Sequence, residues 1–182
     1  WNEAMHLPKA LAGFESWMRE SEKAAQAMTN QILDMQSVGG LLIVLLIVGV
    51  LAGVGEELTF RGILQRLILD KCHNRHIAIW TAAFIFSAIH FQFYGFIPRL
   101  LLGAFFGYLL IGSGNLWLPI IAHFLNNAMT TLYTYFSKDN LFLASYETIG
   151  TADSSTAWMA WVSLALFVFC CWGFRKYLFS RY

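Results

Sequence analysis

Six residues in this chain could do chemistry together: Glu56, Glu57, Arg61, His90, His123 and Asn127. The first three sit inside an apolar run that opens Val38-Gly39-Gly40-Leu41-Leu42-Ile43-Val44-Leu45-Leu46-Ile47-Val48 and continues without proline to about Asp70. A charged side chain at the centre of a bilayer helix costs roughly 2.5–3.5 kcal/mol on insertion scales, so three of them need partners, and a functional site is the default reading. A carboxylate withdrawn from water is a strong proton acceptor, suited to a general base. Imidazole and amide N–H groups aimed at a developing oxyanion stabilise it by several kcal/mol.

Spacing sorts these groups onto faces. Glu57 and Arg61 are i, i+4, the arrangement of an ion pair within one helix. Glu56 is rotated about 100° from Glu57 and is expected to point elsewhere. Phe86-Ser87-Ala88-Ile89-His90 lies in the next apolar run, and His123-Phe124-Leu125-Asn126-Asn127 sets His123 and Asn127 on one face of a later one. Depth brings them together. Glu56 lies fourteen residues before Asp70, and His90 fourteen after His76, so an antiparallel hairpin places both about 21 Å from its turn. His123 enters from the same membrane side, about 12–15 Å deep by the same rise. One carboxylate, two imidazoles and an amide can therefore converge on a cavity open to the cytoplasm.

Each residue also has a plainer role. A buried arginine needs a counter-charge, so Glu57 with Arg61 reads as structural, whereas Glu56 has no local partner and reads as catalytic. A lone histidine would be a hydrogen-bonded core residue, but His90 and His123 beside an unpaired glutamate read as functional. Asn127 divides between amide donor and packing group, and Asn126 faces away. His6, His73 and His76 read as solvated or interfacial. Glu56, His90 and His123 also form a possible two-histidine, one-carboxylate set for zinc. The chain lacks a His-Glu-x-x-His helix, and a glutamate used as a ligand could not serve freely as base, so the reading favours water activated without an obligatory metal.

The elements that must position these groups follow from composition. The chain is 58% hydrophobic and 13% charged, against about 25% charged in a soluble domain. Lipid is the expected solvent, and the fold class all-α: a multi-pass transmembrane bundle of about five helices. A span needs about 20 apolar residues. The candidates are Val38 to Asp70, Ile77 to Phe93, Phe96 to Ile111, Leu116 to Phe136 and Ala157 to Phe179. The stretches Lys71 to His76 and Gly112 to Asn115 are short connections between antiparallel helices, and Lys138 to Thr156 is a loop. Gly49 with Gly53, and Gly103 with Gly107, suit close helix packing. Ahead of the spans, Phe14, Trp17, Met18, Ala25, Met28 and Ile32 recur at spacings of three and four, which predicts an amphipathic helix lying in the interface or docked on the surface. The chain thus divides into a segment 1–37 and a helical core 38–182, with the motifs in 55–136.

A net charge of +1 without any basic run argues against a nucleic-acid partner. Cys72, Cys170 and Cys171 make neither a disulfide framework nor a zinc spacing, and the last two read as packing residues. Lys71, Arg75, Arg175, Lys176 and Arg181 would share one side, which predicts a cytoplasmic C-terminus in the cell membrane. The sequence begins at Trp1 without a signal-peptide pattern and reads as a fragment or processed chain, with further membrane helices expected upstream.

Glu56-Glu57-Leu58-Thr59-Phe60-Arg61 fits Glu-Glu-x-x-x-Arg, Phe86 to His90 fits Phe-x-x-x-His, and His123 to Asn127 fits His-x-x-x-Asn. In that order, the chain resembles the CPBP family of intramembrane proteases, the CAAX-protease and bacteriocin-processing (Abi-type) peptidases, over about Val38 to Phe136. No core position departs from the pattern, although family members usually carry more helices before the double glutamate. The resemblance implies an endopeptidase acting on a membrane-associated peptide or protein, which in the prenyl-protein branch removes the last three residues after a lipidated cysteine. It implies Glu56 as the base that activates water, His90 assisting, His123 and Asn127 at the oxyanion, and Arg61 holding Glu57. Two other classes compete: a non-catalytic scaffold or peptide-binding protein of the same fold, and an ion-coupled transporter, for which no inverted repeat or broken-helix pair is visible.

Overall fold

Ser37 starts the helix that carries the double glutamate. Its backbone is extended and its hydroxyl accepts from Gly40 N at 3.1 Å, satisfying one of the donors that a helix start leaves open. In the computed structural model, which describes residues 8–138, 156 and 158–179, the described residues form helices and no strand. The principal helices are α1 (Ala12–Ile32), α2 (Val38–Cys72), α3 (Arg75–Ala88), α4 (Phe96–Ser113), α5 (Trp117–Ser137) and α6 (Trp158–Phe179). They fall into two compact units, Trp1–Leu132 and Tyr133–Tyr182.

α2 runs through the whole first apolar segment, but not as uniform α-helix. Two π-helical stretches, Leu45–Ala52 and Leu58–Leu64, flank a short α-helical piece, Gly53–Glu57. Side chains that compete for the backbone accompany both. Asn127 Nδ2 donates to the carbonyl of Val48 inside the first stretch, and Thr59 Oγ1 donates back to Gly55 O at the start of the second. A side chain inserted into the backbone ladder is a recognised cause of helix distortion. The two glutamates therefore occupy a regular segment between two widened ones.

His73 closes α2 in the left-handed conformation, and Asn74 caps α3 by accepting from His76 N and Ile77 N. This two-residue turn folds α3 back against α2, as the short polar connection predicts. α3 then packs on α4 through small residues. Ala78, Ala82 and Ala83 are buried on one side, and Gly103, Ala104 and Gly107 on the other. A Cβ at Gly103 would stand 3.1 Å from Phe86, and one at Gly107 2.9 Å from Ile79 and 2.7 Å from Gln65 Oε1. The other glycine pair performs the same service for α5: Cβ atoms at Gly49 and Gly53 would lie 3.1 and 3.5 Å from Phe124. Close approach of backbones is what such small residues allow.

The outer surface is apolar. Leu42, Ile43, Leu46, Ile47 and Leu51 on α2 are exposed, while Glu57, Arg61 and Gln65 on the same helix are buried. That inversion suits a lipid solvent. Among the described residues, two helices, α2 and α4, are long and apolar enough to cross a membrane. The expected count of about five is only roughly matched. The reason is clearest at α3, whose 14 residues stop short of the predicted Phe93. The chain turns at Ile89 and His90, and Phe91 takes a positive φ of 52°. α5 has the predicted length but carries His123, Asn126, Asn127, Thr130, Thr131 and Thr134, which lower its hydropathy.

α1 is docked, not free. Phe14 and Trp17 pack against Phe93 at ring-centroid distances of 6.2 and 5.2 Å, Glu22 Oε2 accepts from Tyr94 N at 3.3 Å, and the Arg19 guanidinium lies over the Tyr94 ring. Met28 and Ile32 of its apolar face stay exposed. In the second unit, Trp161, Phe169 and Trp172 of α6 are exposed. The predicted loop between Lys138 and Thr156, His6, Arg181 and the side chains of Cys170 and Cys171 lie outside the described residues.

Candidate active site

Glu57 is fully buried, and one of its oxygens serves two partners. Oε1 accepts from Arg61 Nη1 at 2.7 Å and lies 2.8 Å from Nδ1 of His123. Arg61, also buried, donates from Nη2 to the carbonyl of Gly103 at 2.9 Å, which ties α2 to α4. Its guanidinium lies 4.7 Å from the Phe86 ring centroid and 5.4 Å from that of Phe106. Aromatic faces attract a desolvated cation, so the arginine has counter-charge, acceptor and ring contacts together.

The Glu57 contact decides which nitrogen of His123 is available. A carboxylate facing Arg61 is an acceptor, so Nδ1 carries the hydrogen and Nε2 is left for chemistry. Nε2 lies 3.7 Å from Glu56 Oε2. The two glutamates, about 100° apart on the helix, thus reach the same imidazole from opposite ring nitrogens. The expectation that Glu56 points elsewhere holds for its exposure, since its side chain is 30% accessible against 0% for Glu57, but not for its target. The His123 ring stacks on Phe106 at 5.0 Å and meets Phe86 edge-on at 6.0 Å.

His90 sits in the turn just beyond α3 and is half-buried. Its Nδ1 is 2.7 Å from the carbonyl of Phe86, a helix-end acceptor that the truncated α3 would otherwise leave open. A carbonyl only accepts, so here too the hydrogen is on Nδ1 and Nε2 is the outward nitrogen. Glu56, His123 and Arg99 all lie within Coulombic reach of His90, although no hydrogen bond joins it to Glu56 among the described residues. Asn127 uses Nδ2 on Val48 O at 2.9 Å, while its Oδ1 takes Asn126 Nδ2 at 3.3 Å. Asn126 is exposed.

Glu56, Glu57, Arg61 and His123 therefore form one contact network. His90 borders it, and Asn127 braces α5 on α2 one turn from His123. Among the described residues, no group of three His, Cys, Asp or Glu side chains is gathered to hold a metal ion. The candidate zinc set Glu56, His90 and His123 does not close around one point, so the arrangement does not fit a preformed metal site.

Residues 38–129, about half of the chain, match the family described as type II CAAX prenyl endopeptidase Rce1-like. The chain belongs to this family. The match contains all three motifs and every residue of the network above. A curated relative, the uncharacterized protein YpbD of Bacillus subtilis (strain 168), is 35% identical over 83 residues, or 43% of this chain and 39% of YpbD. The chain thus spans about two fifths of the curated relative it matches. No solved structure matches it. Rce1-like membership brings a CAAX-type intramembrane protease fold, that of a membrane-embedded family.

Sequence reasoning missed three parts of this Rce1-like site. The Glu57–His123 bond joins residues 66 apart, and Glu57 already looked satisfied by Arg61. The carbonyls of Gly103 and Val48 are backbone atoms with no side-chain signal. Arg99 entered only as a charge for orientation, yet lies near Glu56 and His90.

Proposed function

We propose that this chain is the catalytic part of an intramembrane endopeptidase that cleaves a peptide bond in a membrane-associated, CAAX-type prenylated protein or peptide. The observation that carries the reading is the placement of Glu56 Oε2 beside His123 Nε2, with His123 held from behind by Glu57. At 3.7 Å the pair is too far apart for a direct hydrogen bond. A water bonded to both would lie beside them, off the line that joins them, facing the half-exposed side of Glu56.

Glu56 takes a proton from that water as its oxygen attacks the scissile carbonyl carbon. The carbonyl oxygen gains the negative charge. With a hydrogen on each ring nitrogen, and Glu57 offsetting the ring's charge from behind, His123 can donate to it from Nε2; the second amide hydrogen of Asn127, not used on Val48, is the other candidate donor. When the C–N bond breaks, the proton held by Glu56 passes to the leaving nitrogen, with His90 assisting the transfer. One proton of the water passes through Glu56 to the leaving nitrogen, the other stays on the oxygen that joins the new carboxyl group, and no step passes through a metal.

The test is cleavage of a prenylated peptide by the protein in lipid nanodiscs, wild type against Glu56→Gln. Gln keeps the shape and removes the basic oxygen, so hydrolysis should fall by more than a thousandfold while thermal stability is kept. Cleavage by Glu56→Gln within tenfold of wild type would remove Glu56 as the base.

A further inference from the structure

Arg99 lies in the first turns of α4, four residues before Gly103. Gln92 Oε1 accepts from its Nη2 and braces the guanidinium. The other terminal nitrogen, Nη1, is buried and has no hydrogen-bond partner among the described residues. Glu22 and Glu56 are near enough to act on its charge, but neither forms an ion pair with it. A buried donor left without an acceptor is costly, and more so when charged. Such groups persist where an acceptor arrives with a ligand.

Its position relative to the site follows from α4. The Gly103 carbonyl accepts from Arg61, so Gly103 marks the Glu57–Arg61 layer on that helix. The Arg99 backbone stands four residues before it, about 6 Å along the axis at 1.5 Å per residue. Its guanidinium extends further, to Gln92 and to the bare Cα of Gly95, and stays within Coulombic reach of His90 and Glu56. An extended peptide rises about 3.4 Å per residue, so the guanidinium is about two residues of substrate, or slightly more, from that layer.

We propose that Arg99 binds a carboxylate of the substrate peptide, about two residues from the bond that Glu56 attacks. This rests on the peptidase reading and adds its specificity determinant. The unpartnered N–H supplies a charge-assisted hydrogen bond, and Gln92 keeps the guanidinium plane turned to it. The carboxylate can be the free C-terminus of the peptide or an acidic side chain; both present the same acceptor.

Binding is measured with the Glu56→Gln protein in nanodiscs, so that cleavage does not intervene. Three prenylated peptides serve as probes: one with a free C-terminus, its C-terminal amide, and that amide with the residue two after the test bond replaced by aspartate. The free-carboxylate or the aspartate peptide should bind about tenfold more tightly than the plain amide, and whichever does identifies the source. Adding Arg99→Gln should bring the preference below twofold, and Arg99→Lys, which keeps the charge without the planar fork, should leave an intermediate preference. A preference that survives Arg99→Gln, equal binding of all three peptides before that change, or an equal loss for all three after it would overturn the assignment. Arg99→Lys decides the matter if Arg99→Gln does not fold, since an undiminished preference there also overturns it. Wild-type protein that binds with this carboxylate preference but never cleaves would overturn the peptidase reading and leave Arg99 as a carboxylate site.

Discussion

Glu57 Oε1 stands 2.8 Å from Nδ1 of His123 and 2.7 Å from Nη1 of Arg61, so a single carboxylate oxygen holds the histidine of α5 to the arginine of its own helix. The first reading of Glu57 as a counter-charge for Arg61 is therefore half of its role. Through the other half it fixes the tautomer and tilt of the ring whose far nitrogen faces Glu56. Glu57 thus links its own pair with Arg61 to the Glu56–His123 pair.

Glu57→Gln should consequently lower kcat by about 10²–10⁴-fold, comparable to the loss when a triad carboxylate becomes an amide. The neutral amide no longer offsets the charge of the ring that donates from Nε2, and it can turn the ring away from the carbonyl oxygen. A pH–rate profile separates this from mere loosening of the fold. Reorientation changes the profile as well as the rate, whereas a folding defect scales the whole curve. An unchanged rate would mean that Glu57 serves Arg61 alone.

Arg61→Ala should destabilise the protein by about 3–5 kcal/mol, the usual cost of leaving one member of a buried ion pair behind. Glu57 would keep His123 but lose its charge partner, and Gly103 O would lose its donor. Thermal unfolding in detergent measures this. A melting temperature equal to wild type would show that the pair contributes nothing to stability.

Gly107→Ala should also destabilise, by about 1–3 kcal/mol, because its new methyl would meet Gln65 Oε1 and Ile79 Cγ2 inside 3.0 Å. Gly13→Ala is the contrast. Nothing lies within 4 Å of its Cβ, and alanine in a helix gains roughly 0.5–1 kcal/mol over glycine. Opposite signs in the two unfolding curves are expected, and equal shifts would contradict the close α3–α4 contact.

Exhaustive chelation should leave hydrolysis within about twofold, because Glu56, His90 and His123 are not gathered around one point. Elemental analysis of the active protein accompanies the assay. Stoichiometric zinc whose removal and return switch activity off and on would show that the three draw together around a metal when it binds.

The sequence made the site legible wherever the chemistry lies along one helix. Glu57 with Arg61 is an i, i+4 pair, and the glycines at 49, 53, 103 and 107 stand at the helix contacts their spacing suggests. Across helices, depth along the spans brought Glu56 and His123 together, but the individual bonds were not legible. His123 lies 66 residues from Glu57, and nothing in either neighbourhood says that it will meet both glutamates, one at each ring nitrogen. The end of α3 was missed for another reason. Ile89-His90-Phe91 contains neither glycine nor proline, so the apolar pattern runs on while the backbone turns. His90 Nδ1 caps that end through the Phe86 carbonyl, a task that hydropathy cannot reveal.

The shortness of α3 has a consequence for the surrounding lipid. Its 14 residues rise about 21 Å, against a hydrocarbon core of about 30 Å. On the peptidase reading, with α3 as one span of the bundle, the bilayer beside it must thin, or the turn that bears His90 must lie below the headgroups under the cover of α1, since non-helical backbone survives at that depth only when buried in protein or facing water. Either way Glu56 and His123 are set a fixed distance from one leaflet. Acyl-chain length would then be a variable of the proposed cleavage: longer lipids deepen the mismatch at this one helix, and shorter ones bring the surface down to the site.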